Sequence, residues 1–311
     1  MTALHVDVVR EFAWAKVNLF LHVTGRRDDG YHLIDSLFVY GVAHDVIEAR
    51  PAKDLTLDVT GPFSSQLGGS QSGEGHDNLV MRAARMIGAR MVGEVTGADK
   101  GAALTLVKNL PVASGIGGGS ADAAAALRAL NRLWGLGLTE PDLCAIAVRI
   151  GADVPACVLS QPVRVSGIGE VLEPVPEIPD LHCVLVNPGF ALSTPAVFGA
   201  LKAQGAAFSE PAPPLLVHGD LVDWLSHVRN DLEVPAMQLA SDIGSVLDRI
   251  MAEPGCLLAR MSGSGATCFG LFPDRAHAQT AARTLSATPG WWVAAGVLFG
   301  SGQGSGIGSG L

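Results

Sequence analysis

Apolar and polar residues alternate along Val6–Arg10 and Lys16–Val23, the period of two that a half-buried strand requires. Arg26-Arg27-Asp28-Asp29-Gly30 interrupts the alternation with turn-forming chemistry. β-leaning runs resume at Tyr31–Val42 and Val46–Ala49, and the Gly/Ser/Gln-rich stretch Gly61–Gly75 predicts an exposed loop. At Asn78–Gly88 the pattern changes to a helical one, with Leu79, Met81, Ala83, Ala84, Met86 and Ile87 as its apolar content. A strand at Ala102–Val107 leads through Lys108-Asn109-Leu110-Pro111 into Ser114–Ser120, and an alanine-rich helix is predicted over Ala121–Trp134. Pro141–Ile150 predicts another helix, stopped by Gly151-Ala152-Asp153-Val154-Pro155.

Pro174, Pro176 and Pro179 crowd Glu173–Asp180 and place a boundary nearby. Beyond it, Cys183–Val186 predicts a strand, and helices are expected from about Pro195, around Leu221–Trp224 and over Pro235–Ile250. Leu257–Met261 then enters the loop Ser262–Gly270. Residues Gly300–Leu311 are almost wholly Gly and Ser, cannot bury apolar surface, and predict disorder. There is no internal repeat. The fold class is α+β, and 311 residues make two domains the natural division.

Composition narrows the function. Hydrophobic residues are 48% of the chain, charged residues only 16%, and the net charge is −9. Nucleic-acid binding needs a surplus of clustered Lys and Arg, so that class is excluded as a partner, whereas a small anion in one local pocket is not. The five cysteines are dispersed, which writes neither a zinc knuckle nor a redox pair. They read as buried thiols in a reducing compartment. No signal-peptide run and no window of about 20 apolar residues is present. A soluble, cytoplasmic protein without a membrane partner is expected.

Three segments carry candidate chemistry. Gly115-Ile116-Gly117-Gly118-Gly119-Ser120 lies between a strand and a helix. Such glycines let backbone N–H groups face an anion, and the helix N-terminus adds partial positive charge. A flexible turn capped by Ser120 is the ordinary alternative. Ser120 occupies the place of the third glycine of G-x-G-x-x-G, and no Gly-Lys-Ser/Thr follows, so the loop is neither a dinucleotide fingerprint nor a Walker A motif. Lys16 and Asn18 point to the same face of a strand, as a protective edge lysine also could. Asp153 could equally cap the helix that follows it.

Taken together and in order, the segments Ala15-Lys16-x-Asn18-Leu19, Asp29-Gly30-Tyr31-His32, Pro111-x-x-x-Gly115-x-Gly117-Gly118-Gly119-Ser120, Gly151-Ala152-Asp153-Val154-Pro155 and Ser262-Gly263-Ser264-Gly265-Ala266-Thr267 closely resemble one family. It is that of the 4-diphosphocytidyl-2-C-methylerythritol kinases of the non-mevalonate isoprenoid pathway. They belong to the galactokinase, homoserine, mevalonate and phosphomevalonate kinase superfamily. The resemblance runs from about Ala13 to Phe272. The superfamily's glycine loop commonly reads Gly-Leu-Gly-Ser-Ser, and the form found here is the one these kinases use.

The resemblance implies ATP as co-substrate, Mg²⁺ to offset its charge, and a small-molecule partner bearing cytidine diphosphate. It implies phosphorylation of the 2-hydroxyl of the methylerythritol group. Lys16 and Asp153 map to the catalytic pair, with Asp153 accepting the hydroxyl proton. Asn78, Lys108, Pro111 and the loop Gly115, Gly117, Gly118, Gly119 and Ser120 map to the ATP site. Asn18, Tyr31, His32, Thr194 and Phe198 map to the substrate site, with Tyr31 and Phe198 on opposite faces of cytosine and His32 at its edge. No residue is assigned to the metal. The implied fold is an N-terminal domain over residues 1–162 like ribosomal protein S5 domain 2, a ferredoxin-like domain over 163–299, the site in the cleft between them, and a disordered tail at 300–311. A monomer or weak homodimer is expected. A mevalonate or homoserine kinase would share the glycine loop without needing a cytosine pocket. A non-catalytic nucleotide-binding module would keep the loop without Lys16 and Asp153.

Overall fold

The computed structural model describes residues 8–67, 78–89, 101–205, 207–215 and 220–301. The first two strands predicted from alternation are one: β1 (Val9–Arg26) runs 18 residues antiparallel to the 21-residue β2 (His32–Ala52). Register shifts at Trp14/Lys16, Asn18/Phe20 and Val23/Gly25 bend the pair, as bulges do. One edge of β2 is taken by β1. The other is shared by β4 (Gly101–Val107), which pairs with residues 46–52, and β5 (Val163–Gly167), which pairs with residues 34–38. β3 (Thr56–Thr60) runs parallel to β4, and β6 (Val171–Pro174) extends β5.

Four helices cover one face of this sheet: α1 (Leu79–Gly88), α2 (Gly118–Leu133), α3 (Glu140–Ala147) and α4 (Val154–Leu159). Ala121 and Ala123 through Ala126 are buried on α2. Alanine combines the best helix propensity with the smallest apolar side chain, so the central helix can lie close to both sheet and neighbours. Asn78 caps α1, its side-chain oxygen accepting from the Val80 N–H at 2.9 Å. Thr139 and Asp142 form a capping box on α3. Thr139→Ala is therefore expected to lower stability by about 1 kcal/mol, read as a shifted denaturant midpoint with an unchanged slope.

The second sheet is antiparallel in the order β10–β7–β9–β8, from β7 (Leu181–Asn187), β8 (Leu258–Met261), β9 (Cys268–Phe272) and β10 (Trp292–Leu298). Its helices are α5 (Thr194–Gln204), α6 (Leu221–Ser226), α7 (Glu233–Leu239), α8 (Asp242–Met251) and α9 (Arg275–Ser286). Ile243, Val246 and Ile250 of α8 and Ala278, Ala281 and Leu285 of α9 share a core with Val184 and Val186 of β7. Cys183, Leu185 and Leu271 share a different core with Ala15, Val17 and Leu19 of β1. The two halves are thus joined by a continuous apolar layer.

Several expectations shift. Residues 163–174 extend the first sheet past the division expected at residue 162, because β5 pairs with β2. The helix expected over 235–250 is two, broken where Ala240 is extended (φ −149°, ψ 92°). α2 begins at Gly118, inside the glycine loop, rather than at Ala121. Gly300 and Ser301, expected in a disordered tail, are held by the Asp180 carboxylate (2.7 Å) and the Ile178 carbonyl (3.2 Å). Residues 302–311, like 1–7 and the part of the predicted Gly/Ser loop at 68–75, lie outside the described residues. All five cysteines are free, and burial pushes the Cys157 thiol up to about 12. No helix among the described residues is long and apolar enough to cross a membrane.

Candidate active site

Lys16 and Asp153, 137 residues apart, meet with the ammonium 2.7 Å from a carboxylate oxygen. Lys16 comes from the bent centre of β1, and its ammonium stands 3.8 Å from the centre of the Phe38 ring. With Lys16 only 5% exposed, the protective-edge explanation does not apply. Asp153 precedes α4 in a helical conformation, and its side chain makes no capping bond to the helix. Its carboxylate is turned to Lys16 instead. The pair sets a carboxylate oxygen and an ammonium side by side in the lining of a cavity.

The glycine loop rests directly on this pair. The Lys16 backbone N–H donates to the Ile116 carbonyl at 2.9 Å. Gly117 has φ +64°, and a Cβ there would come within 3.1 Å of the Lys16 side chain. Gly117 caps α2 without a side chain, so the first N–H groups of the helix, from Gly118 onward, lack intrahelical partners and are presented to an anion.

From the second half, Ser262–Thr267 closes on the loop. The Ser262 hydroxyl donates to the Gly115 carbonyl (2.9 Å) and accepts from the Asn18 N–H (3.1 Å). The Thr267 N–H donates to the Ser114 carbonyl at 3.0 Å. Gly115 has φ +78°, and a Cβ would meet the Ser262 carbonyl oxygen at 2.4 Å. Gly115→Ala combines left-handed strain of about 1–2 kcal/mol with a backbone clash. It is expected to depress thermal stability and ATP affinity together, measured by melting and by titration with ATP. Gly118→Val, at a position without positive φ, would set its Cβ 3.1 Å from the Lys108 ammonium, and is expected to weaken ATP binding, read by titration, by pushing the first turn of α2 off that buried group.

Beneath the loop lies a smaller cavity of about 240 Å³, lined by Asn78, Lys108, Pro111, Gly118, Gly119 and Asp122. Lys108 lines this cavity from within a buried ion cluster. Its ammonium is 2.6 Å from both Asp45 and Asp122, and all three side chains are buried. Burial pulls the ammonium down, but the two carboxylates outweigh it and the Lys108 pKa is raised. Burial pushes Asp122 up to about 8 against the pull of Lys108, with Asp45 adding to the rise. The Lys108 ammonium thus lies directly under Gly118, 3.1 Å from where a Cβ would stand.

At the other end, Tyr31 is 62% exposed on the rim. His32 stacks on Phe198, their ring centres 4.7 Å apart and planes 19° apart. Phe198 and Tyr31, expected on opposite faces of cytosine, line the same cavity, with Phe198 resting on His32. Burial, then the charges of Arg26 and Lys202, hold the imidazole below its ordinary pKa. Asn18 is buried, donates to the Ser36 hydroxyl at 2.8 Å, and leaves its carbonyl oxygen without a partner. The Thr194 and Ser264 hydroxyls share a 2.7 Å hydrogen bond. Lys16, Asp153, Asn18, the glycine loop, Tyr31, His32, Thr194 and Phe198 all line one cavity of about 820 Å³. Ser264, Arg26 and Lys202 also line it and were not singled out by the sequence. Ser264 lies in a recognised loop, but the two cations sit in a turn and on a helix that give no local signal.

The chain matches the family model described as GHMP kinases N terminal domain over residues 78–161, and GHMP kinases C terminal over 214–289. It is 51% identical over 290 residues to the 4-diphosphocytidyl-2-C-methyl-D-erythritol kinase of Paramagnetospirillum magneticum, covering 92% of this chain and 96% of that one. The chain belongs to this kinase family. The crystal structure of a 4-(cytidine 5'-diphospho)-2C-methyl-D-erythritol kinase matches with a TM-score of 0.73 and 34% identity, over 94% of this chain and all of the other. Homoserine kinase from Cytophaga hutchinsonii matches with a TM-score of 0.69 at 18% identity, over 98% of each chain. That likeness shows a shared fold. Within the family, the loop at 115–120 and the facing loop at 262–267 fall one in each matched half, or beside it.

Proposed function

We propose that this chain transfers the γ-phosphoryl group of ATP to the 2-hydroxyl of 4-diphosphocytidyl-2-C-methylerythritol. The Lys16–Asp153 pair seated under the glycine loop carries the reading, because it joins a proton acceptor to a phosphate cradle in one cavity. Asp153 accepts the hydroxyl proton, and Lys16 orients its carboxylate and offsets charge on the moving phosphoryl group. Asn18 supports the acceptor end. Its free, buried carbonyl oxygen is a hydrogen-bond acceptor aligned beside Lys16 on the same strand, suited to a substrate hydroxyl.

The adenine is assigned to the small cavity edged by Asn78 and Pro111, and the phosphates to the N–H groups from Gly118 onward. Mg²⁺ would offset charge on the ATP phosphates. Cytosine is assigned to the rim, stacked on Tyr31 with the neutral His32 at its edge and Phe198 bracing the imidazole. Thr194 lies towards the substrate phosphates. The β10–β7–β9–β8 order supports a ferredoxin-like second domain, since the chain order there is strand, helices, two strands, helix, strand. The first domain is read as like ribosomal protein S5 domain 2. The protein is taken to act in the cytoplasm as a monomer or weak homodimer.

The test is ADP release with the cytidyl substrate, mevalonate and homoserine offered in parallel. Turnover only with the first is expected, and turnover with either of the others at equal kcat/KM would overturn the assignment. Tyr31→Ala is expected to lose about 1–3 kcal/mol of stacking, seen as a rise in KM for the cytidyl substrate with KM for ATP unchanged. His32→Ala should instead erode the preference for cytidine over uridine. If both variants raised both KM values and left base preference intact, these residues would serve only to brace the turn.

A further inference from the structure

Beside His32 lies a second cavity of about 400 Å³, which neither Lys16 nor Asp153 lines. It falls in the usual volume range of small-ligand pockets, about 300–1,000 Å³. His32, Arg26 and Lys202 line it as well as the main cavity, so these three form the partition between the two.

Its walls are positively charged. Lys202 has no carboxylate partner among the described residues, and Arg26 gives one guanidinium N–H to the Gly30 carbonyl at 3.1 Å. Arg229 pairs with Asp231 at 2.7 Å, and Asp231 also accepts from the Val23 N–H at 2.7 Å. That leaves two uncompensated cations in a chain of net charge −9. The effect reaches His32, where both cations act on the imidazole from the partition. The rest of the lining is apolar. Phe208 is 53% exposed and Val234 54% exposed, and Leu201 flanks them. Large apolar side chains set beside unpaired cations in a concavity suit a ligand with both an anionic end and an apolar body.

We propose that this cavity is a second ligand site, for a small phosphate ester with an apolar or aromatic body. The phosphate lies between Arg26 and Lys202, and the body lies on Phe208 and Val234. Guanidinium and ammonium donors together match phosphate oxygens, with bidentate geometry available from Arg26. The cavity is separate from the phosphoryl-transfer centre, since it holds neither the glycine loop nor the Lys16–Asp153 pair, and filling the ADP and CMP subsites first distinguishes its ligand from the kinase substrates.

The test is calorimetric titration of the full chain, already saturated with ADP and CMP, using phenyl phosphate as the probe. Inorganic phosphate and phenol serve as the single-feature arms. One site is expected for phenyl phosphate, with inorganic phosphate weaker and phenol weaker still. Lys202→Glu should weaken phenyl phosphate binding at least about 10-fold, the range of a lost charged hydrogen bond. Phe208→Ala should weaken it several-fold while kcat/KM for the kinase reaction is unchanged. Phe208 and Lys202 are solvent-exposed, so both variants should keep the native melting temperature, which is measured first. No binding once both nucleotide subsites are filled, or binding that survives Lys202→Glu, overturns the proposal. Failure of CMP to bind in the preliminary saturation would instead count against the cytidine reading.

Discussion

Asp153→Asn is expected to lower kcat by roughly 10²–10⁴ with KM for ATP nearly unchanged. The amide keeps the size of the carboxylate and can still accept from the Lys16 ammonium, so the 2.7 Å contact has a successor. It cannot take a proton from the substrate hydroxyl. Because the native side chain makes no capping bond to α4, stability should change little, and a melting curve separates the two effects. A variant with native kcat would remove Asp153 from the chemistry. Loss of stability in proportion to loss of rate would make it a structural residue after all.

The largest stability effect is expected at Lys108. Replacing it with methionine leaves Asp45 and Asp122 facing each other in the interior with no cation between them. Breaking one partner from a buried ionic group typically costs about 3–5 kcal/mol, enough to unfold much of a marginally stable protein. Denaturant midpoints would read it. Asp122→Asn in the Lys108→Met background should recover part of the loss, because it replaces the titratable carboxyl that faces Asp45 with a neutral amide. A Lys108→Met protein of native stability but without ATP affinity would return the ammonium to the nucleotide, as first expected from sequence.

Much of the site was legible because its parts are short and local. The glycines at 115, 117 and 118 stand where the backbone turns into α2, and a run of glycines before alanines announces that turn. Lys16 and Asn18 were placed on one face by alternation alone, and no register shift falls between them. What alternation could not show was their depth. A lysine in an apolar strand looks like an exposed edge until Asp153 arrives from far along the chain. Lys108, mapped to the nucleotide pocket by resemblance, proves also to be the centre of a buried ion cluster. The deciding partner, Asp45, comes from β2, 63 residues earlier, and local sequence is silent about it.

Elements were lost where burial is shared thinly. α9 buries only Ala278, Ala281 and Leu285, two of them too small to mark a helical stripe. β10 has a half-exposed surface along most of its length, so it lacks the contrast of a core strand. Ala240 breaks α7 from α8 although alanine is the best helix former, because its extended backbone answers to the tertiary path.

The bond from the Ser262 hydroxyl to Gly115 spans 147 residues of chain. During synthesis at about 5–20 residues per second, roughly 7–30 s separate the emergence of these two partners. Over that interval the nascent N-terminal half holds every glycine of its phosphate loop yet lacks the clasp that fixes it. Nucleotide capture is therefore a late event in the life of the polypeptide, and a ribosome stalled before Ser262 should display a chain that cannot retain ATP.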